Sequence, residues 1–170
     1  MLPRRIDPRK LTAQGATLSG CIPTAQLQRL MAAVLDADAG VEVTLDFGRD
    51  AQGNAVVEGE FTLDADLRCQ RCLGVVRQRL SSGCRLGIVW DDQQARQLPR
   101  DLEPWVVPEQ DADLFELAED EVLLALPIVP RHDADACRAT GRYSTGGFDD
   151  TGEADEGNPF RILEQLKKND

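Results

Sequence analysis

A period of two runs through the middle of the chain and breaks at one place, the stretch Leu67-Arg68-Cys69-Gln70-Arg71-Cys72-Leu73-Gly74. Before it, Val57, Gly59, Phe61, Leu63, Ala65, Leu67 and Cys69 hold every second position, with mostly polar residues between them. After it, the apolar phase shifts by one: Leu80, Cys84, Leu86, Ile88 and Trp90 share a face, and Arg79, Arg85 and Val89 point the other way. Alternation over so many positions predicts two long strands of a sheet with one buried face, and the phase change puts the Cys-x-x-Cys at the reversal between them. A thioredoxin-type dithiol needs its first thiol at a helix N-terminus, so this placement argues against redox chemistry. A turn presenting two thiolates side by side is half of a tetrahedral zinc site.

The segment His132-Asp133-Ala134-Asp135-Ala136-Cys137 can supply the other half. Cys69, Cys72, His132 and Cys137 would then bind one structural zinc ion through three sulfurs and one imidazole. The competing reading is an exposed loop histidine and a free thiol, and spacing alone leaves both open. Cys84 lies in the apolar phase of its strand and reads as a small buried hydrophobe. Cys21, between Ser19-Gly20 and Pro23, has no ligand-like neighbour.

The chain has 170 residues, five of them cysteines, enough length to bury a core without staples. An odd cysteine count does not suit a disulfide framework, and neither a signal peptide nor a membrane-spanning apolar run is visible. The expectation is a cytoplasmic protein with reduced thiols and no membrane association. A net charge of −11 argues against charge-driven binding to a nucleic-acid backbone and favours solubility or a basic partner.

That charge is distributed in blocks. Residues 1–35 carry a balance of +4, residues 36–65 of −7, residues 66–86 of +4 and residues 87–124 of −9. The positive block is the hairpin itself, through Arg68, Arg71, Arg77, Arg79 and Arg85. It is either an internal electrostatic partner of the acidic helix that follows or a small docking face for phosphate.

Around the hairpin, the first twenty residues have little periodicity and read as extended chain, with Leu18 beginning a short strand. Residues 24–35 read as a helix whose stripe is Leu27, Leu30, Met31, Val34 and Leu35. Val41, Val43, Leu45 and Phe47 alternate as a strand, and Asp50-Ala51-Gln52-Gly53-Asn54 turns the chain into the strand that leads to Cys69. Residues 91–96 read as a loop, and Trp105-Val106-Val107 as a short edge strand among prolines. Asp113 caps a helix running to Leu126, well buried at its C-terminal half, with Glu116, Glu119, Asp120 and Glu121 on a solvated face. Pro127-Ile128-Val129-Pro130 then leads rigidly to His132. Residues 138–157 read as a mobile acidic segment, and Asn158-Pro159 caps a short amphipathic helix within residues 158–170. The fold class is therefore α+β: one domain over residues 1–137, with an antiparallel sheet or partly closed barrel packed by a helix in the N-terminal half and an acidic helix, followed by a flexible tail.

The chain resembles the YceD family of large ribosomal RNA subunit accumulation proteins. The resemblance lies in Leu67 to Leu73, in Glu119-Asp120-Glu121-Val122-Leu123-Leu124-Ala125-Leu126-Pro127-Ile128-Val129-Pro130, in His132-Asp133 with Cys137, and in the closing Asn158-Pro159-Phe160-Arg161-Ile162-Leu163-Glu164-Gln165-Leu166-Lys167. It implies a role in the synthesis, processing or stability of 23S ribosomal RNA and so in making the large ribosomal subunit. The family's gene commonly lies beside that of a small large-subunit ribosomal protein, which implies that protein as a partner. Many relatives carry further cysteines in the region of His132 to Cys137, and this sequence departs from them in keeping one histidine and one cysteine.

Three functional classes follow. The first is a non-enzymatic factor that holds a basic ribosomal protein or a pre-ribosomal particle through acidic residues such as Glu116, Glu119 and Asp120. The second is a direct ribosomal RNA binder using Arg68, Arg71, Arg77, Arg79 and Arg85. The third, an RNA-processing enzyme, needs a general base or metal pair around a pocket, and the sequence shows no such constellation. The expectation is the first class, with no catalytic residues and no cofactor besides the zinc ion.

Overall fold

The structure, a computed structural model, describes residues 1–107, 111–133 and 136–137. The expectations for residues 138–170 lie outside the described residues. Two strands dominate, as the alternation requires: β5, Ala55–Arg68, and β6, Val75–Val89, pair antiparallel from Val56↔Gly87 to Arg68↔Val75. The strand β4, Gly40–Arg49, lies on the other side of β5, and β2, Thr17–Pro23, continues the sheet beyond β4. Beyond β6, the strand β7, Glu103–Val106, runs parallel to it at the far edge, where Pro104 costs least. The pair β3, Asp36–Ala37, extends the β4 side of β5, giving a sheet ordered β2-β4-β5-β6-β7 with β3 off that path. A second, two-stranded sheet joins β1, Arg5–Ile6, to β8, Ala112–Asp113.

One face of the large sheet is the core. Val41, Val43, Leu45 and Phe47 of β4, Val57, Phe61, Leu63, Ala65 and Leu67 of β5, and Val76, Leu80, Leu86 and Ile88 of β6 are buried in one cluster. The helix α4, Leu114–Leu124, adds Leu114, Phe115, Leu117, Ala118 and Val122 to the same cluster. Burying this many aliphatic and aromatic side chains, each contributing about 1.5–3 kcal/mol, is what holds the sheet and helix together. The alternate positions, among them Glu42, Asp46, Glu58, Glu60, Arg77 and Arg79, form a polar outer face. Among the described residues no helix is long and apolar enough to cross a membrane.

Four local expectations need correction. The N-terminal twenty residues are not all extended: α1 spans Pro8–Gln14, started by Asp7, whose carboxylate accepts the Lys10 N–H, and ended by Gly15 in the left-handed region at φ 58°. The single helix expected over residues 24–35 is two short pieces, a 3₁₀ turn Thr24–Gln26 and α2, Gln28–Ala33, with Leu27 non-helical between them and Leu35 exposed. The loop expected at residues 91–96 contains a one-turn helix, α3, Asp92–Ala95, capped by Asp91. Finally, α4 buries its first two-thirds rather than its C-terminal half, and Leu124 is exposed. Two of its acids, Glu119 and Glu121, are buried, so the solvated face is narrower than the sequence suggested.

Candidate metal centre

The hairpin between β5 and β6 closes as a knuckle. Cys69 N–H donates to the Gly74 carbonyl at 2.8 Å and Leu73 N–H to the Cys69 carbonyl at 2.9 Å, with Leu73 in the left-handed region at φ 59°. This tight reversal turns both thiols to the same side and aims amide N–H groups at their sulfurs. The amide of Cys72, against some opposing burial and with help from those of His132 and Arg71, holds the Cys69 thiol down to about 5. The Gly74 amide acts likewise on Cys72, but burial and the neighbouring sulfurs of Cys69 and Cys137 outweigh it and push that thiol up. Three sulfurs this close oppose one another's ionisation, and a dication among them removes the conflict.

The chain after Pro127 is tied along the knuckle. Gln70 N–H donates to the Pro130 carbonyl at 2.8 Å, and the Gln78 amide reaches the Arg131 carbonyl at 3.5 Å. His132 Nε2 lies 2.8 Å from the Val75 carbonyl and Nδ1 lies 3.5 Å from Cys72 Sγ. A donor bond from Nε2 to a carbonyl fixes the tautomer that leaves Nδ1 as the coordinating nitrogen, the usual outer support of a metal-bound histidine. Beside the Cys69 sulfur, and with that carbonyl contact, the imidazole pKa is raised. Cys137 is buried, with its Sγ 4.0 Å from that of Cys69.

The structure therefore brings all four sequence-predicted ligands together: the ligand atoms of Cys69, Cys72, His132 and Cys137 lie within 4.8 Å of one another. A zinc ion with bonds of about 2.3 Å to sulfur and about 2.0 Å to nitrogen has ligand atoms roughly 3.5–3.8 Å apart, so the cluster needs little contraction to close. The donor set of three sulfurs and one nitrogen, the amide N–H groups on the sulfurs and the carbonyl behind the imidazole all fit zinc. These four residues would hold it, with no open position for a substrate, as a structural site.

Cys84 stays apart, half-buried on β6, its thiol pushed up to about 12 by burial and by the charge of Glu121. Cys21 is exposed.

The hairpin arginines divide into three groups. Arg77 pairs with Asp38 and, at 3.1 Å, with Asp66; Arg85 pairs with Glu58 at 3.2 Å and lies 3.7 Å from Asp101. Arg71 points back at the centre, 3.4 Å from the Asp133 carbonyl and beside the Cys137 thiol. Arg68 and Arg79 are exposed, Arg79 directly across the ladder from Asp64. Of the acids on α4, Glu116 is exposed, Asp120 is half-exposed and bonds Arg29 at 2.6 Å, and Glu119 is buried against the same arginine at 2.8 Å. Arg131, which the sequence did not mark, is exposed beside the knuckle; its apolar and proline neighbours gave no sign of where it would lie.

The fold and site define a class: an α+β domain with a three-cysteine, one-histidine cluster stapling its longest hairpin to the chain that follows its acidic helix. Residues 57–167 match the family described as large ribosomal RNA subunit accumulation protein YceD, and the chain belongs to that family. Over 168 residues, 98% of this chain and 97% of the relative, it is 34% identical to the large ribosomal RNA subunit accumulation protein YceD of Haemophilus influenzae. No solved structure matches the chain.

Proposed function

We propose that the chain is a non-enzymatic factor supporting 23S ribosomal RNA synthesis, processing or stability and, through it, large-subunit biogenesis, by holding a basic ribosomal protein or a pre-ribosomal surface. The relative's name supports the ribosomal part of this reading. The observation that carries the binding mode is the clustering of acid on exposed surface, where Arg85 meets Glu58 at 3.2 Å but Asp46 and Glu60 form no ion pair among the described residues. On the outer face of the sheet Asp46 of β4 stands directly opposite Glu58 of β5, with Glu60 beside them opposite Thr44. These residues line an open groove of about 550 Å³ whose floor is Gly59 and Gly83. Like charges directly opposed across a ladder destabilise the sheet; Arg85, which also lines the groove, offsets Glu58, and a cationic partner would relieve what remains at Asp46 and Glu60. Exposed Glu116 of α4 adds acid elsewhere, and Asp120 beside it shares Arg29 with Glu119.

The test is capture of native complexes from a crosslinked cell extract with identification of bound proteins. Glu58→Gln with Glu60→Gln, or Glu116→Gln with Asp120→Asn, should reduce recovery of a basic large-subunit ribosomal protein at unchanged Tm. Full recovery by both folded variants would remove the acidic surfaces from the function.

A further inference from the structure

The metal end of the hairpin presents a surface that the acidic faces do not explain. Leu73 is 67% exposed, Val75 58% and Ile128 99%, with Val129 at 45%. The hydrogen bonds from Gln70 to Pro130 and from His132 to Val75 bind the two segments side by side, so these side chains flank one centre. Between them a cleft of about 350 Å³ is lined by Cys72, Gly74, Val75, His132 and Ala136. Leu73 also occupies a left-handed backbone conformation that glycine would adopt without strain. A large aliphatic residue held there in solvent marks a side chain kept for contact rather than for folding.

The cations at this end are all arginines. Arg68, Arg79 and Arg131 are exposed, and among the described residues no carboxylate forms an ion pair with any of the three. By contrast, Arg77, between Val75 and Arg79 on the same strand, and Arg85, further from the turn, are each held by carboxylates. At physiological salt, charges more than about 8 Å away are largely screened, so the −11 of the whole chain weighs less here than the local arginines. Guanidinium groups match phosphate oxygens in fork geometry and stack on base planes. A cleft lined by Cys72, Gly74, Val75, His132 and Ala136, with Arg68 directly across the ladder from Val75 and Arg131 next to His132 in the chain, fits an unpaired nucleotide with its flanking phosphates. A duplex would offer phosphates but no base for the cleft.

We propose that this end, Leu73, Val75 and Ile128 with Arg68, Arg79 and Arg131, binds a single-stranded or looped segment of RNA. The choice of RNA over an acidic protein segment rests on the ribosomal reading above; the surface itself does not. Together with the acidic faces, it makes the domain a bridge between ribosomal RNA and a basic protein.

The experiment uses the full chain loaded with zinc and three fluorescent probes: a twelve-nucleotide single-stranded RNA of mixed sequence, the same sequence closed as a hairpin loop, and its fully paired duplex. Anisotropy titrations over a range of KCl concentrations should show the single strand and loop bound tighter than the duplex. Arg68→Gln with Arg131→Gln should weaken binding about tenfold and reduce the salt slope by about 1.4, the counterions released at two phosphates of a single strand. Leu73→Gly should weaken loop binding about threefold or more while leaving the salt slope, the zinc content and Tm intact, because glycine suits that backbone. Arg85→Gln should leave binding unchanged. Equal affinity for loop and duplex, or equal losses from the Arg85 and the Arg68–Arg131 variants, would overturn the proposal. So would tighter binding of a leucine- and glutamate-rich helical peptide than of the loop, which would make the surface a protein site. Loss of RNA binding in this assay is separable from the reading above, because capture of a basic protein depends on Glu58, Glu60, Glu116 and Asp120.

Discussion

Glu119 Oε1 accepts the backbone N–H groups of Arg29 at 2.7 Å and of Leu30 at 3.1 Å, so a carboxylate on α4 caps the start of α2 across ninety residues of sequence. Leu27, the residue before α2, has no side chain able to cap it, and Glu119 supplies the missing acceptor. Its other oxygen takes the Arg29 guanidinium at 2.8 Å. Glu119→Ala removes the acceptor of two amides and strands a charge pair, and should destabilise the domain by about 2–3 kcal/mol. Glu116→Ala, on the exposed side of the same helix, should fall within about 0.5 kcal/mol of the parent. Urea unfolding of both variants checks this, and equal stabilities would mean that the cap is not needed.

Protein purified without a metal-affinity tag should carry about one equivalent of zinc, and a value under about a tenth would leave the four residues as reduced thiols and a histidine. Cys69→Ser and Cys137→Ser should each lose the metal and lower stability by about 4 kcal/mol, roughly 10 °C in Tm. A chelator should reproduce that loss in the parent. Cys21→Ser, at an exposed thiol outside the cluster, should change neither metal content nor Tm.

The cap of α4 should show in acid. Burial alone would raise the Asp113 carboxyl, but the Arg4 bond at 2.9 Å and the amides of Phe115 and Glu116 hold it below its ordinary value of 3.8. A depressed folded pKa contributes stability that is fully present above the unfolded value and is lost as pH falls through the folded one. Asp113→Ala should therefore cost about 1 kcal/mol at neutral pH, with the gap to the parent closing as pH falls below about 4. A gap that persists undiminished at pH 2 would assign the cost to packing instead.

The long strands were legible because each repeats one local instruction over a dozen positions. The cluster of Cys69, Cys72, His132 and Cys137 was legible for a related reason: the phase change put a turn at Cys69–Cys72, and the prolines before His132 suited a placed loop, though equally a simple crossing over the core. The helix α1 also left a signal, Asp7-Pro8 and then Gly15, but one of caps alone, without the apolar stripe on which the reading relied. What the sequence hid was long-range. Residues 24–35 carry a helical stripe, yet Thr24 is drawn to the Asp38 and Ala39 carbonyls and Glu119 starts a new helix at Gln28, so the pattern breaks in two. Glu121 reads as a surface acid and is instead buried against the Ser82 hydroxyl at 2.8 Å, because β6 passes beneath it. Only the arrangement of strands decides which acids α4 turns inward.

Two glycines in neighbouring strands should respond oppositely to the same change. A Cβ at Gly59 would lie 2.9 Å from each of Cys84 Sγ, Leu45 Cδ2 and Phe61 Cε2, atoms of three side chains packed on the core side. Gly59→Ala must displace them in a close-packed interior and should cost about 1–3 kcal/mol. Gly83 pairs with Glu60 on the next rung, and a Cβ there meets only the Gly59 carbonyl oxygen at 3.8 Å, an ordinary contact. Gly83→Ala removes freedom from the unfolded chain without a clash and should stabilise by about 0.5 kcal/mol. Thermal melts of the two variants read the difference directly. Because Gly83 also forms the floor of the acidic groove, the same variant narrows that groove while strengthening the sheet. A more stable protein that recovers less of the basic partner would separate the two roles of this position. A Gly83→Ala protein less stable than Gly59→Ala would mean that the strands are not in the register described.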